Sequence, residues 1–289
     1  MDRALHGTGI WSGHLRYGDA SVAAEAAAEL EALGYTALWV PDVGGDLFAA
    51  VENLLAATST VTVATGILNL WLHTAADTAA AHARLTATYG DRFLVGIGVS
   101  HQPVVEGNGA GTYERPLARM QAYLDDLDAA SPPLAAGDRV LAALRPKMLD
   151  LASRRTAGAH PYLVTVEHTA EARAALGPDR LLAPEVGVVL DTDPERARRI
   201  ARAGIEGYLQ LPNYTGNWQR LGFDEADLAG GGSDRLVDAL VAWGDEDAIA
   251  TRLAAHRAAG ADHLCIQVLC EGGRLPLEEW RRLAPVLTA

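Results

Sequence analysis

The chain has 289 residues, 49% of them hydrophobic and 21% charged, with a formal net charge of −13. This length fits either one large α/β barrel or two ordinary domains, and the composition is that of a globular chain, neither disordered nor fibrous. The acidic balance excludes a broad nucleic-acid footprint, which needs a Lys/Arg surface, and no apolar run approaches the roughly 20 residues of a membrane span.

The opening residues, MDRALHGTGIW, lack the apolar core of a secretory signal, so a cytoplasmic address is expected. The first strand expected is TGIW (8–11), which runs into Ser12, Gly13 and His14 and then the helical SVAAEAAAELEAL. TALWV (36–40) is next, followed by Pro41, Asp42 and Val43 and by the helix LFAAVENLLAA. VTVATGI (61–67) begins as an alternating β-branched strand, yet after Gly66 the chain stays apolar through Trp71, where a strand exit normally turns polar. The helix AADTAAAHARLTATY leads to FLVGIG (93–98), and ERPLARMQAYLDDLD leads to RVLAAL (139–144). PKMLDLASRR, AHPYLV (159–164), TAEARAAL, LAPEVGVVL (182–190) and DPERARRIARA continue the alternation. From Tyr208 to Trp243 the rhythm breaks, and GNWQRLGF and AGGGSDR read as an insertion of short helices with a flexible Gly turn. DEDAIATRLAAHRAAG then precedes the last strand, HLCIQVL (263–269).

Eight strands, apolar on both faces and alternating with helices, imply a parallel sheet covered by helices. The count and length fit an α/β fold of the (β/α)8 TIM-barrel type, a single domain over 1–289 with an insertion at roughly 208–243, before the last strand. The same alternation permits a doubly wound open sheet, but no Gly-x-Gly-x-x-Gly follows the first strand.

In a parallel barrel, chemistry gathers where strands end and loops begin. Here those ends are rich in glycine, aliphatics and backbone and poor in clustered carboxylates, which suits a flat, largely apolar ligand better than a metal. None of the nine histidines forms a His-x-His pair. His73 and His101 follow the third and fourth strands and read equally as site residues or as a solvated rim, while His82, His168 and His256 fall on helices and read as solvated or capping. Glu25, Glu29, Glu31, Asp125 and Asp126 likewise read as solvent-facing. In RVLAALRPKML, Pro146 takes the favoured first helical position and Lys147, the only lysine of the chain, sits in the first turn. That pattern reads as a phosphate site or as an ordinary βα turn. Cys265 and Cys270 are five residues apart, on opposite faces of a strand, and read as free buried thiols.

ELEALGYTALWVPD, VTVATGILNLW, RFLVGIGVSHQPVVE and YERPLARMQAYLDDLD, with VLAALRPKMLDLASRRTAGAHPYLVT and EHTAEARAALG, together resemble the bacterial luciferase-like monooxygenase superfamily, and within it the actinobacterial oxidoreductases that use the deazaflavin coenzyme F-420. The resemblance is strong from about Gly9 to Ala203. It implies that Thr65, Gly66 and Ile67 form a bulge, with a cis Gly66–Ile67 peptide, that sets an apolar backrest of Ile67 and Leu68 against the middle ring of the coenzyme. It implies further that Asp42 touches the ring and that Gly98, Val99 and Ser100 line its pyrimidine side. Ala143, Leu144, Arg145, Pro146, Lys147 and Met148 would hold the phosphate, with Gly158, Ala159 and His160 closing its far side. Trp11 and Asn69 would border the substrate. Many relatives carry glycine where this chain has Arg145. The sugar-phosphate dehydrogenase branch has a His and a Glu where Val43 and Val99 stand, so its acid/base chemistry does not transfer.

The function implied is hydride transfer between C5 of coenzyme F-420 and a small organic substrate, with His101, His73 and Asp42 as proton-handling candidates in a homodimer, without a metal, nucleic acid or membrane partner. The alternatives are an FMN-dependent monooxygenase and a non-catalytic cofactor binder.

Overall fold

The structure, a computed structural model, describes residues 5–107 and 109–288; part of the amino-terminal stretch read for a signal lies outside them. The strands are β1 (Gly7–Trp11), β2 (Ala37–Val40), β3 (Thr62–Thr65), β4 (Leu68–Asn69), β5 (Phe93–Gly98), β6 (Arg139–Leu141), β7 (Gly158–Ala159), β8 (Leu181–Leu182), β9 (Glu185–Leu190), β10 (Val241–Gly244) and β11 (His263–Val268). All pair in parallel, in the order β10-β9-β11-β1-β2-β3-β5-β6-β7-β8, with β4 on β5. β8 and β9 are one stave interrupted at Ala183 and Pro184. The first half pairs with β7 and the second with β11, and the bonds Ala183 N to Ala159 O and Cys265 N to Pro184 O, both 3.0 Å, carry the ladder past the break. The sheet thereby closes into the (β/α)8 barrel.

Several helices coincide with the sequence reading because their start signals are local. Asp46 caps Leu47–Ala57 by accepting from Ala49 N at 3.0 Å, and Thr74 caps Ala75–Tyr89 through Asp77 N at 3.1 Å. The insertion does contain short helices, Pro212–Arg220, Glu225–Leu228 and Asp234–Leu240, but it ends in β10, an unforeseen strand in register with Gly187–Leu190. Four residues, VAWG, are too few to carry a period; the exposed edge of β9 decides them. A further helix, Leu277–Leu287, also escapes the sequence reading because Pro285 interrupts its pattern. It buries Trp280, Leu283 and Ala284, and Tyr35 Oη donates to Trp280 O at 2.9 Å. Among the described residues, no helix is long and apolar enough to cross a membrane.

Three histidines correct the solvated-or-capping reading. His82, His168 and His256 all face the barrel and are buried. His168 Nε2 lies 2.8 Å from Leu144 O, His256 Nδ1 lies 2.9 Å from Thr169 Oγ1, and His82 Nε2 lies 3.3 Å from Phe93 O. Burial of a polar ring is tolerated when it finds such partners. Glu31 is likewise not merely solvated, since its carboxylate receives the amide hydrogens of Ser59, Thr60 and Val61 at 2.6–3.0 Å and so fixes the entry to β3. Cys265 is a free buried thiol, while Cys270, also free, lies past the end of β11 and is only half-buried.

Inside the barrel, alternate strand residues stack in layers. Ala37, Trp39, Ala64, Leu94, Val140, Ala183 and Cys265 form the fill, with the Trp39 ring stacked on His160 at 4.3 Å. Trp39 Nε1 donates to His263 Nε2 at 3.2 Å, so His263 Nδ1 is the nitrogen that donates to His6 O, 3.2 Å away.

Candidate active site

At the carboxyl ends of the strands, Asp42 leaves β2 almost fully buried and ties three segments together. It accepts from Asn69 N at 3.0 Å and from Gly44 N at 3.3 Å, and its Oδ2 lies 2.9 Å from His73 Nε2. His73 Nε2 carries its hydrogen toward the carboxylate, and Nδ1 has no partner among the described residues. Phe48 holds that ring edge-on at 5.4 Å. Of the three proton-handling candidates, then, Asp42 and His73 come together. His101 does not join them: it belongs with the insertion, its ring 5.4 Å from Tyr214 and its Nδ1 3.5 Å from Asn213 Nδ2. Burial lowers its basicity.

The Gly66–Ile67 peptide is cis, the geometry the resemblance implies. Trp11 Nε1 donates to Gly66 O at 2.7 Å, Gly66 N donates to Val40 O at 2.7 Å, and Thr65 Oγ1 donates to Gly96 O at 2.7 Å. A Cβ at residue 66 would stand 2.8 Å from Trp11 Nε1, so only glycine fits under the indole. The apolar run past Gly66 divides between two environments. Ile67 turns to the mouth and lies over Gly98, where a Cβ would stand 2.3 Å from Ile67 Cδ1. Leu68 does not share that face, for it is fully buried in the core between barrel and helices, as is Leu70. Trp71 returns to the rim and donates from Nε1 to Val99 O at 2.9 Å, while Asn69 uses its side chain on the turn, Oδ1 accepting from Trp71 N at 3.1 Å. Ser100 adopts a left-handed backbone, φ 55°, and its carbonyl accepts from Tyr113 Oη at 3.3 Å.

After β6, Ala143 is buried, and Leu144 O is held by His168. The helix Pro146–Arg155 begins without a side-chain cap: Met148 N and Leu149 N both return to Arg145 O, at 3.0 and 3.1 Å. Lys147 N then has no partner among the described residues, and its side chain is exposed. Arg145 is committed elsewhere, its Nη2 donating to Pro212 O at 3.1 Å, in a seat that only Gly216 allows because a Cβ there would stand 2.3 Å from Nη2. Gly158, Ala159 and His160 are buried in the wall. His160 Nδ1 donates to Ala183 O at 2.7 Å, and its bare Nε2 lies beneath Gly66, without a partner; burial pulls this ring down to about 4.

Four residues at the mouth escaped the sequence reading. β7 ends at Ala159, not at Val164, so Tyr162 stands in the mouth loop, where Tyr208 Oη donates to Tyr162 Oη at 3.0 Å and Tyr162 Oη to Gln267 Oε1 at 2.7 Å. Glu185 is fully buried and pushed up to about 8 by that burial, against the one amide hydrogen it receives, from Leu163 N at 2.9 Å. A lone acid in LAPEVGVVL was the legible signal for it. A cleft of ≈ 700 Å³ opens between the ends of β1 and β11, lined by Trp11, Ser12, Gln267, Leu269 and Trp280 among others. A smaller cavity of ≈ 420 Å³ lies at the opposite end of the barrel, near Thr8, Thr36 and Arg257. Among the described residues, no group of three or more His, Cys, Asp or Glu is placed to hold a metal ion.

A closed parallel barrel with a glycine-rich mouth and a helix amino terminus at its rim is of the (β/α)8 class. The chain belongs to the luciferase-like monooxygenase family, whose profile matches residues 5–263. Among solved structures, it is similar to an F-420-dependent secondary alcohol dehydrogenase in complex with an F-420–acetone adduct (TM-score 0.75, 15% identity, covering 98% of this chain and 99% of that one). It is also similar to the coenzyme F-420-dependent tetrahydromethanopterin reductase from Methanopyrus kandleri (0.75, 15%, 96% and 96%). A third is the oxygenating constituent of 3,6-diketocamphane monooxygenase from Pseudomonas putida, in complex with FMN (0.68, 14%, 98% and 97%). At these identities the likeness is one of fold. No curated protein matches the sequence.

Proposed function

We propose that this chain is an oxidoreductase that binds coenzyme F-420 across the barrel mouth and moves a hydride between it and a small organic substrate. The observation that carries the reading is the apolar face made by Ile67 over Gly98, set in the same mouth as the Asp42–His73 pair. When bound, a deazaflavin supplies a two-electron hydride carrier. The protein's share is to bind, orient and exclude water. Ile67 and the Gly98–Ser100 backbone would form the wall against the ring. The unpartnered Lys147 N–H at the start of Pro146–Arg155, with the Lys147 charge beside it, would hold a phosphate. His73, steadied by Asp42, would hold or accept the proton at the substrate.

Arg145 is engaged by Pro212 O, which supports a phosphate site built from backbone and Lys147 and not from the guanidinium. The test is a titration of the apoprotein with coenzyme F-420 and with FMN. We expect F-420 to bind with a micromolar or lower Kd, roughly −8 kcal/mol or better, and FMN more weakly. Tighter FMN binding would move the assignment to the flavin monooxygenases, and binding of neither would end it. Tight F-420 binding without oxidation of its reduced form by enones, imines, quinones or aldehydes would mark a non-catalytic binder.

A further inference from the structure

The cavity of ≈ 420 Å³ at the end of the barrel away from the mouth holds an arginine without a carboxylate. Ala250, Leu253, Ala254 and Arg257 recur at helical spacing on Glu246–Ala258, so one face of that helix lines the cavity. The start of β1 and the end of Leu277–Leu287 supply the other walls. Arg257 Nη2 donates to Thr8 Oγ1 at 2.8 Å, and Thr8 Oγ1 donates in turn to Leu287 O at 2.9 Å. Arg257 Nε and Nη1 have no partner among the described residues. Burial holds the pKa of this guanidinium below the ordinary arginine range, and no carboxylate acts against that shift.

An unpaired arginine is out of keeping with a chain of 37 acidic and 24 basic residues. On the adjoining helix, Arg281 and Arg282 pair with Glu29 and Glu246. Among the described residues, no Asp or Glu lines the cavity. A half-buried charge left uncompensated is unfavourable, and an anion beside it offsets that cost.

The lining narrows the anion. Thr8, Thr36 and Thr288 have given their hydroxyl hydrogens to Leu287 O, His6 O and Ala284 O, so they have none left to offer a ligand. A phosphate, which needs donors on several oxygens, finds a single guanidinium. A carboxylate needs only that group, because the planar fork matches it with two parallel N–H bonds. Beyond the fork, Leu253, Ala254 and Val286 offer apolar surface. The volume falls in the lower part of the range of small-molecule sites, about 300–1,000 Å³.

We infer that this cavity is a second ligand site, separate from the mouth, for a monocarboxylate with an apolar body, its carboxylate seated on Arg257. The site joins Glu246–Ala258 to β1 and to the last helix, so its occupancy stabilises the closure of the barrel by linkage. It does not depend on the coenzyme reading.

The test is isothermal titration calorimetry of the full chain with benzoate, octanoate, inorganic phosphate and benzamide, with thermal melting in parallel. At least one of the two apolar carboxylates binds and raises Tm, whereas phosphate and the uncharged benzamide do neither at the same concentration. Arg257→Met, which keeps the stem but removes the charge, weakens the carboxylate at least about tenfold. Ala254→Phe, which fills the space and keeps the guanidinium, does the same and carries the test if Arg257→Met fails to fold. Absence of carboxylate binding, affinity unchanged in the folded variants, or equal binding of benzamide or phosphate overturns the assignment.

Discussion

His73 Nε2 and Asp42 Oδ2 stand 2.9 Å apart, and the same carboxylate receives Asn69 N and Gly44 N. Asp42→Asn keeps the shape but replaces one acceptor with a donor. It is expected to lower turnover about 100-fold, the scale of one proton-handling group, and to destabilise the fold by about 1–3 kcal/mol. Steady-state kinetics beside urea denaturation separates the two effects; a variant with full turnover would remove the pair from the chemistry.

Gly98 and Ile67 form a steric pair. Gly98→Ala brings a Cβ to within 2.3 Å of Ile67 Cδ1 and is expected to cost about 1–3 kcal/mol through overpacking. Ile67→Ala in the same chain restores the space and recovers most of that loss. A double-mutant cycle in denaturant measures the coupling, and strictly additive losses would mean that the two residues do not touch.

The interior titratable groups set the pH profile of stability. Burial holds His160 and His256 down to about 4 and His263 down to about 3, and raises Glu185 to about 8. The unfolded histidines take up protons below about 6.5 while the folded ones stay neutral, so stability falls as pH drops from there toward 4. Glu185 works the other way, because the unfolded carboxyl ionises near its ordinary 4.5 while the folded one keeps its proton up to about 8, so stability falls as pH rises across that window. From 4.5 to 6.5 these histidines, joined by His101 and His168, whose basicity burial also lowers, outweigh one acid, and above that window the effect of the acid remains. Maximum stability near pH 6.5 is expected, with a decline of about 1.4 kcal/mol per pH unit toward 8. Urea denaturation should find that decline abolished in Glu185→Gln.

Arg145 anchors the insertion helix through Pro212 O, in a seat kept open by Gly216. Arg145→Ala is expected to speed limited proteolysis within 206–240 several-fold, as the loss of about 1 kcal/mol implies, while changing coenzyme affinity less than threefold. A tenfold loss of affinity would instead make the guanidinium a phosphate ligand.

Much of this was written locally in the chain. Asp46, Thr74 and Pro146 mark helix starts whatever surrounds them, and LFAAVENLLAA, AADTAAAHARLTATY and PKMLDLASRR became helices within those limits. Alternating strands and helices likewise imposed a parallel sheet, because a strand apolar on both faces must be covered on both. VTVATGILNLW carried its own bulge in a glycine set before apolar residues. Pairing decided the rest. β10 exists because β9 offers it an edge, and the stave Leu181–Leu190 changes neighbours at Pro184. His168 and His256 are buried because packing, not helical periodicity, chooses which face turns inward. The direction of the Gln267 amide depends on hydroxyls 105 residues away in the chain at Tyr162 and, through it, at Tyr208. A sequence fixes backbone preferences within a few residues, whereas the orientation and ionisation of a polar group follow from the neighbours and the loss of water that only the closed barrel brings.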